Sequence, residues 1–78
     1  MRVIGHVERG AAQRALVSVV ADFAFGAAVA RRELGRAHAA SGDLAAAKRE
    51  LTAAVAEFTA IEAAFHAEQT RAELAALP

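Results

Sequence analysis

A chain of 78 residues with nine basic and nine acidic side chains carries no formal charge, which argues against a nucleic-acid role, since that affinity depends on Lys and Arg neutralising phosphates. It holds no Cys, which excludes disulfides and thiolate metal sites and suits a reducing, cytoplasmic setting. The length allows one small domain with a thin margin of stability, and a composition that is 56% apolar, with roughly a third of its positions Ala, favours helices packed through small side chains.

Residues 1–7 have no clear period and are expected to form a loose lead-in. No apolar run develops there before Gly5, His6, Glu8 and Arg9 interrupt it, so a secretory signal is not indicated. From about Glu8, apolar residues recur at Ala12, Leu16, Val19, Val20 and Phe23, the three-and-four spacing of one helical face. A first helix over 8–21 is expected. Its run at 15–21 is too short to span a bilayer and is followed by Asp22. An interfacial role is also disfavoured, because basic charge is balanced by acidic charge. No membrane partner is therefore expected.

A second helix is expected over 24–40, with Ala27, Ala30, Leu34 and Ala37 facing inward. The alternative is one continuous helix from Glu8 to Ala40, since the same stripe can be followed through Ala27, Ala30 and Leu34. Gly35 inside a helix costs about 1 kcal/mol relative to Ala, so a closely packed neighbour is the natural reason for it. Gly42 supplies a left-handed residue to end that helix, and Asp43 supplies the N-cap for the next. A stop and a start so close together make an antiparallel hairpin.

The third helix, 44–60, has the clearest stripe: Leu44, Ala47, Leu51, Ala54, Phe58 and Ile61. A fourth, 62–77, would turn Ala67, Thr70, Leu74 and Leu77 inward. Its start carries no Gly or Pro. It is placed near Glu62 because residues 24–34 slide by about 40 positions onto 64–74, matching Ala24, Phe25, Ala27, Arg31, Glu33 and Leu34 with Ala64, Phe65, Ala67, Arg71, Glu73 and Leu74. The same offset matches Asp22 with Glu62, which favours a break near Asp22 over the continuous helix.

Leu34, Gly35, Gly42, Asp43, Ala47, Leu51 and Ala54 together resemble a tetratricopeptide repeat of the longer-period type. That type occurs at the carboxyl ends of large bacterial transcriptional regulators and signalling ATPases. The resemblance implies an all-α fold, with antiparallel hairpins stacked as a short α-solenoid of about four helices. It also implies a groove lined by Val29, Arg32, Arg36 and Ala39, with Arg32 and Arg36 placed to grip a carboxylate of a protein or peptide partner. Arg31 replaces the usual large aromatic, His38 stands for a common Tyr, and Glu62 takes the place of a turn Gly. With only one full unit, the chain would need upstream repeats or a second copy for cover. Phe23, Phe25 and the exposed side of the first helix are the expected contact sites.

Other chemistry finds little purchase. His6, His38 and His66 lack metal-ligand spacing, and Glu62 with His66 makes only a two-ligand pair, so no metal is expected. There is no nucleophile motif or phosphate loop, so neither catalysis nor a cofactor is expected. A protein-interaction or scaffolding module is the leading reading. A small homodimeric helical bundle without a groove is the alternative.

Overall fold

The computed structural model describes the backbone from Arg2 to Pro78 and the side chains from Gly10 onward. Three helices follow one another: α1 Arg2–Ala40, α2 Leu44–Ala60 and α3 Ala64–Ala75. The fold is all-helical, and the expected helix count is corrected from four to three. α1 is unbroken through Asp22 for 39 residues, and its backbone includes residues 2–7, where a loose lead-in was expected. The physical reason is local. Asp22 and Phe23 contain no breaker, and Asp inside a helix costs only about 0.7 kcal/mol. Nothing at that point rewards a reversal of the chain.

The first corner is built as its residues dictate. Gly42 takes φ +87°, the Asp43 N–H donates to the His38 carbonyl at 2.9 Å, and the Asp43 carboxylate accepts from the Ala46 N–H at 3.1 Å. The second corner copies this hydrogen bonding without the matching residues. The Ala63 N–H donates to the Phe58 carbonyl at 2.9 Å, while Glu62 is forced to φ +60° and Ala63 offers no side-chain cap. A side chain in the left-handed region is strained, and Gly is not. Glu62→Gly is therefore expected to stabilise the protein by about 1 kcal/mol, raising the thermal midpoint by about 4–8 °C. An unchanged or lowered midpoint in a circular-dichroism melt would show that the corner is not strained.

The α2 stripe is buried as expected at Ala47, Leu51, Ala54 and Phe58, and α3 buries Ala67 and Thr70. The Thr70 hydroxyl is satisfied by donating to the His66 carbonyl at 2.7 Å. On α1 the expected inward face is corrected. Ala27, Ala30, Leu34 and Ala37 are exposed, and Ala28, Arg32 and Gly35 are buried instead. α1 carries two usable stripes, and the one with Ala28 and Gly35 wins because it lets α2 approach most closely. A Cβ placed on Gly35 would lie 2.8 Å from Leu51 Cγ. The main cluster is Ala28, Ala54, Phe58 and Ala67, with Val29 and Ala63 against it. The molecule extends 62 × 18 × 12 Å, because the first half of α1 runs out beyond this three-helix body.

Candidate functional site

The structure brings Val29, Arg32, Arg36 and Ala39 onto one side of α1, but that side faces α3. Arg32 is buried, at 8% exposure. Its guanidinium carbon lies 5.3 Å from the Phe58 ring centroid. Nη1 is 3.2 Å from His66 Nδ1 and donates to Gln69 Oε1 at 3.3 Å. Arg can only donate, so in this contact His66 Nδ1 stands as the acceptor. Arg36 donates to Glu73 on α3 and to Glu33 on its own helix. Its pKa is raised, first by the Glu73 hydrogen bond and also by the Glu33 charge.

These two Arg therefore stitch α1 to α3 and are not free to grip a partner carboxylate. Val29 and Ala39 are half-buried beside them. Arg32 carries charge, yet a long apolar stem over an aromatic face is a regular way to bury Arg. The cost is visible: Arg32 Nε and Glu73 Oε2 are buried without a hydrogen-bond partner. Arg31 clamps the other side, reaching Glu57 at 2.6 Å and Glu50 at 3.1 Å on α2. Its pKa is raised chiefly by the Glu57 charge.

Of the residues expected to pack repeats, Gly35, Ala47, Leu51 and Ala54 are buried, and Gly42 and Asp43 shape the corner. Leu34 is the exception, at 47% exposure. No group of three metal-ligating side chains occurs among the described residues. His6 lies outside the described side chains, while His66 is stacked on Phe58 at 5.2 Å and meets Phe25 edge-on at 4.9 Å.

What remains open is the outer side of α1. Leu16, Val20, Phe23, Ala27, Ala30 and Leu34 follow steps of four and three along one line, distinct from the side with Ala28, Arg32 and Gly35 that packs against the body. All six are exposed, Phe23 at 81%. Val17 and Val19 flank the line and are also exposed. Ala27, Ala30, Arg31 and Leu34, with Glu50 of α2, wall a shallow recess on this side. Residues 12–23 of this line were legible as one helical face. Its extension through Ala27, Ala30 and Leu34 belonged to the continuous-helix alternative, which α1 adopts.

α1 over Gly10–Ala40 is long and apolar enough to cross a membrane by length and composition, with a window of mean hydropathy 1.4. Only 6% of that window is buried, and core helices and signal sequences pass the same test. The uncharged stretches between Arg14 and Arg31 are split by Asp22, and 15–30 covers only about 24 Å, short of a hydrocarbon core of about 30 Å. Insertion would also pull Ala28 and Phe25 away from Phe58.

No family model, curated protein or solved structure matches the chain.

Proposed function

We propose that this chain is a protein-interaction or scaffolding module of the tetratricopeptide type, acting in the cytoplasm, whose partner lies along the outer stripe of α1. It fits the carboxyl-terminal portion of a larger regulator. One observation carries the reading: a continuous apolar line from Leu16 to Leu34 stays exposed on α1, running from the free first half of the helix onto the three-helix body. Contiguous apolar patches of that kind usually mark contact surfaces.

The internal repeat supports the same reading. By the 40-residue offset, Ala27, Ala30 and Leu34 correspond to Ala67, Thr70 and Leu74. On α3 the first two of those are buried and Leu74 is half-buried. On α1 the equivalent line is uncovered. Stacked modules are built from surfaces that a neighbour covers.

A photo-reactive phenylalanine analogue at Phe23, compared with one at the exposed Thr52 of α2, tests the reading in cells. The expected result is a protein adduct at position 23 and none at position 52. Lipid adducts alone, or equal labelling at both positions, would refute it.

A further inference from the structure

The occupant of this stripe can be specified further, granting that the stripe is a protein contact. The steps 16, 20, 23, 27, 30 and 34 have the 3.5-residue period that keeps a seam against a straight neighbouring helix. With flanking positions 13 and 37 the seam is about 37 Å long. A helix the length of α2, 17 residues or about 25 Å, would leave a third of it bare. The occupant must be a long, unbroken, largely apolar helix. α1 is such a helix.

The seam is complementary to itself. Its largest knob, Phe23, stands next to its shallowest hollow, the recess at Ala27 and Ala30. We infer that two copies of this chain pair through α1 in antiparallel fashion, about a two-fold axis at the level of Phe25, each Phe23 seating over Ala27 of the other copy. The same register sets Val20 against Ala30 and Leu16 against Leu34, so large side chains meet small ones at the centre and Leu meets Leu at the ends. A parallel pair would set Phe23 on Phe23 and Ala27 on Ala27, a bulge beside a void. One axis seats both knobs, as an isologous interface requires.

Charge is compatible with this pairing, and area makes it a weak one. No seam position between Leu16 and Leu34 is charged. The flanking Arg31 and Glu33 fall beside Val17 and Val19 of the second copy, so like charges do not meet. α2 borders the seam through Glu50, which walls the recess with Ala27, Ala30, Arg31 and Leu34. A seam about 37 Å long and one helix diameter, about 10 Å, wide gives a flat footprint of about 370 Å² per copy. That is under half of the roughly 800 Å² per partner of a standard interface, the size of a weak, reversible pair. The pair is therefore concentration-dependent.

Sedimentation equilibrium of the full chain is expected to show a monomer–dimer equilibrium. Phe23→Asp should weaken it at least about 100-fold, as loss of a central aromatic anchor does. Because Phe23 touches little of its own body, that variant should keep its helical circular-dichroism spectrum. The chain has no Cys, so Val20→Cys/Ala30→Cys under mild oxidation should yield a covalent dimer. Val20→Cys alone should not, since those sites lie about 15 Å apart along the axis, beyond disulfide reach. Monomer at every concentration overturns the inference, and so does efficient cross-linking through Val20→Cys alone. A monomeric chain that still gives protein adducts at Phe23 in cells overturns self-pairing while leaving the interaction reading intact. A monomer that enters phosphatidylcholine vesicles overturns both.

Discussion

Phe58→Ala should remove about 3–5 kcal/mol of stability, a large part of what a domain of this size has at about 0.05–0.15 kcal/mol per residue. Phe58 is fully buried, and no other large aromatic is. It is also where the three helices meet. Phe25 of α1 approaches its ring edge-on at 5.7 Å, His66 of α3 stacks on it at 5.2 Å, and Arg32 of α1 covers it at 5.3 Å. The rest of the cluster is Ala, which cannot close over the cavity. Removing the ring also deprives Arg32 of its aromatic face and leaves its buried guanidinium with only the His66 and Gln69 contacts. Urea denaturation followed by far-ultraviolet circular dichroism reads the loss directly. A cost below about 1 kcal/mol would mean that the site collapses freely and that the three-helix junction lies elsewhere.

The same junction explains what could be read in the sequence and what could not. Gly42 and Asp43 encode their corner chemically, one by tolerating positive φ and one by capping, so that hairpin was legible. The α2 stripe was legible too, because Leu51 and Phe58 are the large residues on its line. Asp22 and Glu62 look alike locally, yet α1 passes straight through Asp22 while the chain reverses at Glu62. The difference is tertiary. Reversal at Glu62 lets Ala67 and Thr70 bury against the body, whereas reversal at Asp22 would have nothing comparable to cover. Local pattern holds no information about that reward.

On α1, hydropathy pointed to the wrong side for a related reason. The line through Leu34 is the more apolar, but the line through Ala28, Arg32 and Gly35 permits the closer approach. Arg32 then fills, with its stem, a place where an apolar residue would be expected. The expected groove residues consequently face a helix of their own chain. Of the stripe that stays open, Ala27, Ala30 and Leu34 were expected to face inward, while Phe23 was expected as a contact site.

The choice between those two sides rests on Gly35. An added Cβ would meet Leu51 Cγ at 2.8 Å, Cδ2 at 2.9 Å and the Leu51 backbone nitrogen at 3.3 Å. Leu51 is itself 1% exposed, so its side chain has little room to swing away. Gly→Ala in a helix ordinarily gains about 0.5–1 kcal/mol, but overpacking a closed contact costs about 1–3 kcal/mol. The steric term wins here, because backbone as well as side chain stands in the way. Gly35→Ala is expected to lose about 1 kcal/mol, and Gly35→Val about 3 kcal/mol, its two extra methyl groups adding to the crowding while its stiff χ1 limits escape. The partner in the clash is identifiable, so the test can be closed with a double-mutant cycle. Leu51→Ala alone should cost about 2–5 kcal/mol. In its presence Gly35→Val should cost far less, with a coupling of about 1–3 kcal/mol. Strict additivity would show that Gly35 is not held against Leu51. A stabilised Gly35→Ala would show that helix propensity outweighs the contact, and α1 would then have no steric reason to turn this side, and not the Leu34 side, toward α2.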